Sequence, residues 1–274
     1  MYEYREYDSI LENCKDENEV QKYLEKHSEL LPVDNWILGH YVHCSFIITK
    51  FKLGNEYVTD FVYLTKCSDE WYVVFVEIEN PKKRIFTSKK HFTNEFNHAY
   101  EQVEDWERYL KDSHNTINVL RALKALRNPY IMRDENVSFK FLLIYGRSGE
   151  KSGDPVLMNK FRQKKTKSIK VCTYDTIKGV TRDKYRFMVL SPSGNDKYKI
   201  KYVPDKFDCY DQGIFAYSSP NNIEINNENI EKLKSMGYDI DSWLNGKRLS
   251  FNNKYTTDNL SDICKSIFDI GRIK

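Results

Sequence analysis

The longest apolar run in the chain, Trp71-Tyr-Val-Val-Phe-Val76, ends on two carboxylates, Glu77-Ile-Glu79. Six residues are far too few to span a bilayer, which takes about 20. Their aromatic and β-branched character reads as a β-strand from Trp71 to Glu79, which Pro81 ends. The stretch before it, Tyr57 to Leu64, is a second strand of the same kind. It contains Asp60, set between Val58-Thr59 and Phe61-Val62. Carboxylates sit poorly in such apolar strands unless they have partners. Alternation along a strand puts Glu77 and Glu79 on one face. If Cys67-Ser-Asp-Glu70 is the hairpin loop, Lys66 faces Trp71, Leu64 faces Val73 and Asp60 falls opposite Glu77. Directly opposed residues have Cβ atoms about 5 Å apart, so the two charges repel. A divalent cation removes that penalty, and oxygen ligands suit Mg²⁺ or Mn²⁺. Such a metal activates water and stabilises a phosphoryl transition state. Solvated acids on an open sheet face are the alternative, and the residues alone leave it open.

The rest of the pattern surrounds these strands with helices. A helix begins near Asp16, which pairs with Glu19 as a cap, and Pro32 closes that segment. Tyr41 to Phe51 reads as a further strand, followed by a Gly54-Asn55 turn. Thr93 to Asp112 is a long helix with the apolar stripe Phe92, Phe96, Ala99, Val103, Trp106 and Leu110. Glu95, His98, Gln102 and Tyr109 form a polar line beside that stripe. A charged, mostly helical connector runs to Arg127. Val137 to Tyr145 is a strand, Leu157 to Lys165 a short basic helix and Ser168 to Tyr174 a strand. The expected fold class is α/β (α+β), a mixed central sheet flanked by helices. The expected division is a first domain over residues 1–180 and a strand-and-helix extension over 181–274, with a last helix at Thr257 to Phe268.

Bulk properties narrow the functions. The net charge over 274 residues is +3, so nucleic-acid binding has to come from local basic clusters. Six scattered cysteines without a CxxC predict reduced thiols. An N-terminus without an apolar signal core and the lack of a membrane span predict a cytoplasmic protein with no membrane partner. His40-Tyr-Val-His43-Cys44 lacks a second pair at zinc-like spacing and reads as packing.

The ordered set Glu19-Val-Gln21-Lys-Tyr-Leu, Thr59-Asp60-Phe, Val76-Glu77-Ile-Glu79-Asn-Pro81, Gln102, Leu142-Leu-Ile-Tyr-Gly-Arg147 and Val171-Cys-Thr-Tyr-Asp175 resembles the nuclease domain of Shedu-type anti-phage defence proteins. The resemblance spans about residues 15 to 180. It implies a PD-(D/E)xK fold and metal-dependent DNA cleavage. It further implies Asp60, Glu77 and Ile78 at the metal, Glu19 as the acidic residue of the first helix, Gln102 beside the site, and a homo-oligomer. Glu19 keeps its alternative as a capping residue. The family usually has Lys where this chain has Glu79. That Lys orients the attacking water and offsets charge. Glu79 then acts as a base or an extra ligand, or the site no longer cuts. Lys82, Lys83, Lys89 or Lys90 is the expected source of the missing charge.

Two clusters are candidates for holding DNA: Lys82-Lys83-Arg84 with Lys89-Lys90, and Lys160 to Lys167. An exposed solubilising face is the alternative. Three functions follow: a Mg²⁺-dependent DNA endonuclease, a degenerate nucleic-acid-binding or sensing module on the same fold, and an interaction scaffold with a large exposed apolar patch.

Overall fold

The computed structural model describes residues 3–32, 42, 46–67, 70–123, 126, 136–178, 186–205, 214–216 and 218–249. The expected helix at 257–268, the His40/His43/Cys44 group, Cys209 and Cys264 lie outside them.

An eight-stranded mixed sheet organises the molecule, in the order β5-β4-β3-β2-β1-β6-β7-β8. Its first three strands, β1 (Phe46–Leu53), β2 (Tyr57–Lys66) and β3 (Glu70–Ile78), form an antiparallel meander. Parallel strands β4 (Asn136–Ile144) and β5 (Ile169–Cys172) extend it beyond β3. On the other side β6 (Met188–Gly194) runs parallel to β1, followed by β7 (Lys197–Tyr202) and the short β8 (Ile223–Glu224). Strands after residue 180 therefore continue the same sheet. In β7 the lysines point out while Tyr198 and Ile200 are buried. Along that strand lies β8, through two residue pairs.

Helices cover both faces. On one side lie α1 (Glu3–Asn13), α2 (Glu17–Lys26) and α6 (Tyr174–Lys178), which bury Tyr7, Leu11, Val20, Leu24, Tyr174 and Ile177 against Phe61, Val74 and Val76. The first of these has few apolar residues and escapes a periodicity reading. It is held by Tyr7, whose ring is buried while its hydroxyl donates to Tyr174 O at 3.0 Å. The other face carries α3 (Asn94–Tyr109), α4 (Ser113–Leu123), α5 (Pro155–Gln163), α7 (Asn227–Ser235) and α8 (Ile240–Leu244).

The α3 helix fixes the geometry that matters most. Thr93 caps it by accepting from Phe96 N. Its expected stripe is real: Phe96, Ala99, Val103 and Trp106 are fully buried against the sheet. Burying each large side chain of this kind contributes about 1.5–3 kcal/mol. Phe92 lies just before the helix and stacks on Phe96. Among the described residues no helix is long and apolar enough to cross a membrane.

Candidate metal and nucleic-acid site

The β2–β3 hairpin sets the site. Its pairs include Lys66 with Trp71, Leu64 with Val73 and Phe61 with Val76. One further step in the same register sets Asp60 against Glu77. Both carboxylates are buried, at 4% and 7% exposure. Asp60 Oδ2 accepts from the Ile78 backbone N–H at 2.9 Å, and its Oδ1 is 2.6 Å from Lys50 Nζ. Glu77 Oε1 accepts from Gln102 Nε2 at 2.7 Å. Gln102 reaches it because α3 packs across this end of the sheet. Of the polar line beside the α3 stripe, His98 is exposed and Tyr109 packs against Tyr57 and Gly54. Ile78 meets the pair through its backbone N–H.

Glu79 lies just past β3, its Oε2 2.5 Å from Lys83 Nζ, while Tyr174 Oη donates to its backbone carbonyl at 2.6 Å. A fourth carboxylate comes from α2, and it is Glu17. Burial, then the charges of Asp60 and Glu79, push its carboxyl up from the ordinary 4.5 to about 7. Glu77 is also held well above the usual carboxylate range, first by burial, then by Asp60, Glu17 and Glu79. Glu19 stays outside this group: its carboxylate accepts from the Lys15 backbone N–H at 3.0 Å, and its own N–H donates to Asp16 Oδ1. It closes the cap of α2, the role left open for it in the sequence.

The donor chemistry fits a hard divalent cation. Two opposed carboxylates carry oxygen donors, and the side chain that donates to Glu77 Oε1 from α3 is a neutral amide. Among the described residues no group of three or more His, Cys, Asp or Glu side chains is placed to hold a metal ion. Mg²⁺ needs none, since it is commonly held by one or two carboxylates, with waters and substrate phosphate completing the shell.

The two basic clusters meet in space. Lys160 Nζ donates to Lys90 O at 2.7 Å, and Lys90 pairs with Asp154 at 2.6 Å. Lys164 Nζ stands 4.1 Å from the Tyr100 ring centroid and 5.2 Å from that of Phe92. Lys82 donates to Cys14 O at 2.8 Å, Arg84 lies near Glu150, and Lys89 is exposed. This face combines cations with aromatic rings, beginning in the loop that leaves Glu79.

The family model for the C-terminal part of Shedu protein SduA matches residues 14–177, more than half of the chain. The chain belongs to the Shedu family. The matched span in this Shedu chain contains Glu17, Lys50, Asp60, Glu77, Glu79, Gln102 and both basic clusters, whereas β6 to β8, α7 and α8 follow it. Among curated proteins no match is found.

Two residues of the cluster escape the sequence reading. Glu17 shares the first helical turn with Glu19, and nothing local distinguishes them. Lys50 leaves one trace: Ile48, Phe51 and Leu53 break the two-residue alternation at that point.

Proposed function

We propose that this Shedu-family chain is a Mg²⁺-dependent (or Mn²⁺-dependent) DNA endonuclease of PD-(D/E)xK type, acting in the cytoplasm in anti-phage defence. The buried opposition of Asp60 and Glu77 carries this reading. Like charges placed this way in a sheet end are destabilising unless a cation or a proton intervenes. Asp60 and Glu77 would hold the metal, which when bound supplies positive charge to the phosphate and acidifies a water. The chain's own groups do the remaining work. Gln102 fixes the Glu77 carboxylate. Glu17, with its carboxyl near neutrality, is suited to taking a proton from the attacking water. The water oxygen bonds to phosphorus, the bond from phosphorus to the leaving sugar oxygen breaks, and that oxygen is protonated from solvent. The face formed by Lys90, Lys160 and Lys164 would track the DNA backbone. Assembly as a homo-oligomer, with residues 181–274 serving assembly or sensing, belongs to the same proposal.

Replacing Asp60 or Glu77 by Ala is expected to abolish Mg²⁺-dependent plasmid nicking while the thermal melt remains cooperative. Nicking at the wild-type rate by either variant refutes the assignment. Glu79 at the usual Lys position supports a second reading, a nucleic-acid-binding or sensing module that no longer cuts. Cutting that arises only in Glu79→Lys favours that reading. Cutting lost on the same change makes Glu79 a working residue.

A further inference from the structure

In the middle of β1 the backbone leaves the extended region at Lys50, where φ is +51°. A side chain with a Cβ adopts this conformation only under strain, and it persists only where the surroundings enforce it. The other described non-glycine residues with positive φ, Lys90, Asn195 and Asp196, lie in turns or bends. Lys50 is the one inside a strand. Phe46 and Ile48 before it and Phe51 and Leu53 after it all pack in the same core cluster, although strict alternation would send the second pair to the opposite face. Buried groups pin the kink from the side. Thr49 Oγ1 donates to Glu25 Oε1 at 2.9 Å and accepts from Gln21 Nε2 at 2.8 Å, and Lys201 binds Glu25 at 2.7 Å.

The kink places one residue against one partner. Thr49 pairs with Phe61 and Phe51 with Thr59, so Lys50 stands directly across from Asp60. Its Nζ lies 2.6 Å from Asp60 Oδ1, yet 46% of the side chain remains exposed, within reach of anything entering the site. Meanwhile position 79 brings a carboxylate that Lys83 already neutralises. Glycine would occupy the left-handed position without strain. A strained lysine aimed at a buried carboxylate is a costly way to close a strand.

We propose that Lys50 is the catalytic cation of this site, its ammonium group facing the scissile phosphodiester from β1 and resting on Asp60 until substrate arrives. This rests on the nuclease reading above. As the water oxygen bonds to phosphorus and the bond to the leaving sugar oxygen breaks, Lys50 Nζ donates to a non-bridging phosphate oxygen where charge accumulates. It neither gains nor loses a proton. The water's proton passes to a carboxylate of the cluster, and the leaving oxygen is protonated from solvent.

The test compares the full chain with Lys50→Gly, Lys50→Asn and Lys50→Arg in three measurements: thermal melting, Mn²⁺ affinity by calorimetry without DNA, and single-turnover cleavage of plasmid. Glycine and asparagine both tolerate the backbone, but each leaves Asp60 without its ion pair, so both variants are expected to melt below the wild type in EDTA and to regain the difference with saturating Mn²⁺. They should bind Mn²⁺ about threefold to tenfold more tightly, because a competing positive charge has left Asp60. Cleavage is expected to fall about 100-fold or more, the loss typical of removing one donor to a developing charge. Lys50→Arg recovers part of the rate. Wild-type cleavage by Lys50→Gly overturns the proposal and leaves the nuclease reading standing. Slow cleavage joined to weaker Mn²⁺ binding, or to a melting temperature that saturating Mn²⁺ does not restore, makes Lys50 structural, which also overturns it. Failure of the wild type itself to cut with Mn²⁺ bound removes both.

Discussion

Glu77→Gln isolates the charge at the heart of the site, because it keeps the size of the side chain and removes the ionisation. In the metal-free protein Glu77 is buried, faces Asp60, and accepts a hydrogen bond from the neutral Gln102 amide. Its carboxyl is raised in the folded state, by burial first and by Asp60 second. The folded protein therefore holds this proton more firmly than the unfolded chain does. As pH climbs above the ordinary value of 4.5, the unfolded chain releases its proton first, and folding stability falls until the folded group has ionised too. Glutamine does not pay this penalty. Relieving an imperfectly paired buried carboxylate is worth about 1–3 kcal/mol. At about 2–4 °C per kcal/mol for a chain of this size, the melting temperature in excess EDTA should rise by about 2–12 °C at mildly alkaline pH. The Mn²⁺ response should move the opposite way. A wild-type protein at 100 times its dissociation constant gains about 2.7 kcal/mol from the ion, and Glu77→Gln should lose most of that gain. Circular-dichroism melts with EDTA and with saturating Mn²⁺ measure both effects. A variant that melts below the wild type in EDTA, or that gains as much from Mn²⁺, refutes the reasoning.

Glu17 makes a related prediction over a defined window: without metal, stability should decline as pH rises from 4.5 to about 7, and Glu17→Gln should flatten that decline. Identical pH profiles for the two proteins would remove Glu17 from the cluster. For the basic face, Lys160→Ala combined with Lys164→Ala should weaken DNA binding and reduce the slope of log affinity against log salt by about 2, one unit per lost phosphate contact. An unchanged slope would return these lysines to the role of a solvated surface.

The opposition of Asp60 and Glu77 was legible in the sequence because it is a local matter. A short loop at Cys67 to Glu70 fixes the register of the hairpin, and counting outward from Lys66 and Trp71 does the rest. The α3 stripe was legible for the same reason, since Phe96, Ala99, Val103 and Trp106 recur on one helical face. Glu17 was hidden because a helix's first turn does not announce which of two acidic residues faces the sheet. Only the docking of α2 across the sheet end selects Glu17 and leaves Glu19 to the cap. Lys50 was hidden because its role depends on a kink in the backbone. The pairing of β6 with β1 joins segments separated by well over a hundred residues, and no periodicity encodes it. The contact between Lys160 and Lys90 likewise spans 70 residues.

Anomalous diffraction from crystals grown with saturating Mn²⁺ tests the metal assignment most directly. A strong peak shared by the Asp60 and Glu77 carboxylates is expected, with Lys50 Nζ displaced from Asp60 Oδ1. Ordered Asp60 and Glu77 side chains with no ion between them, and Lys50 still seated on Asp60, would contradict it.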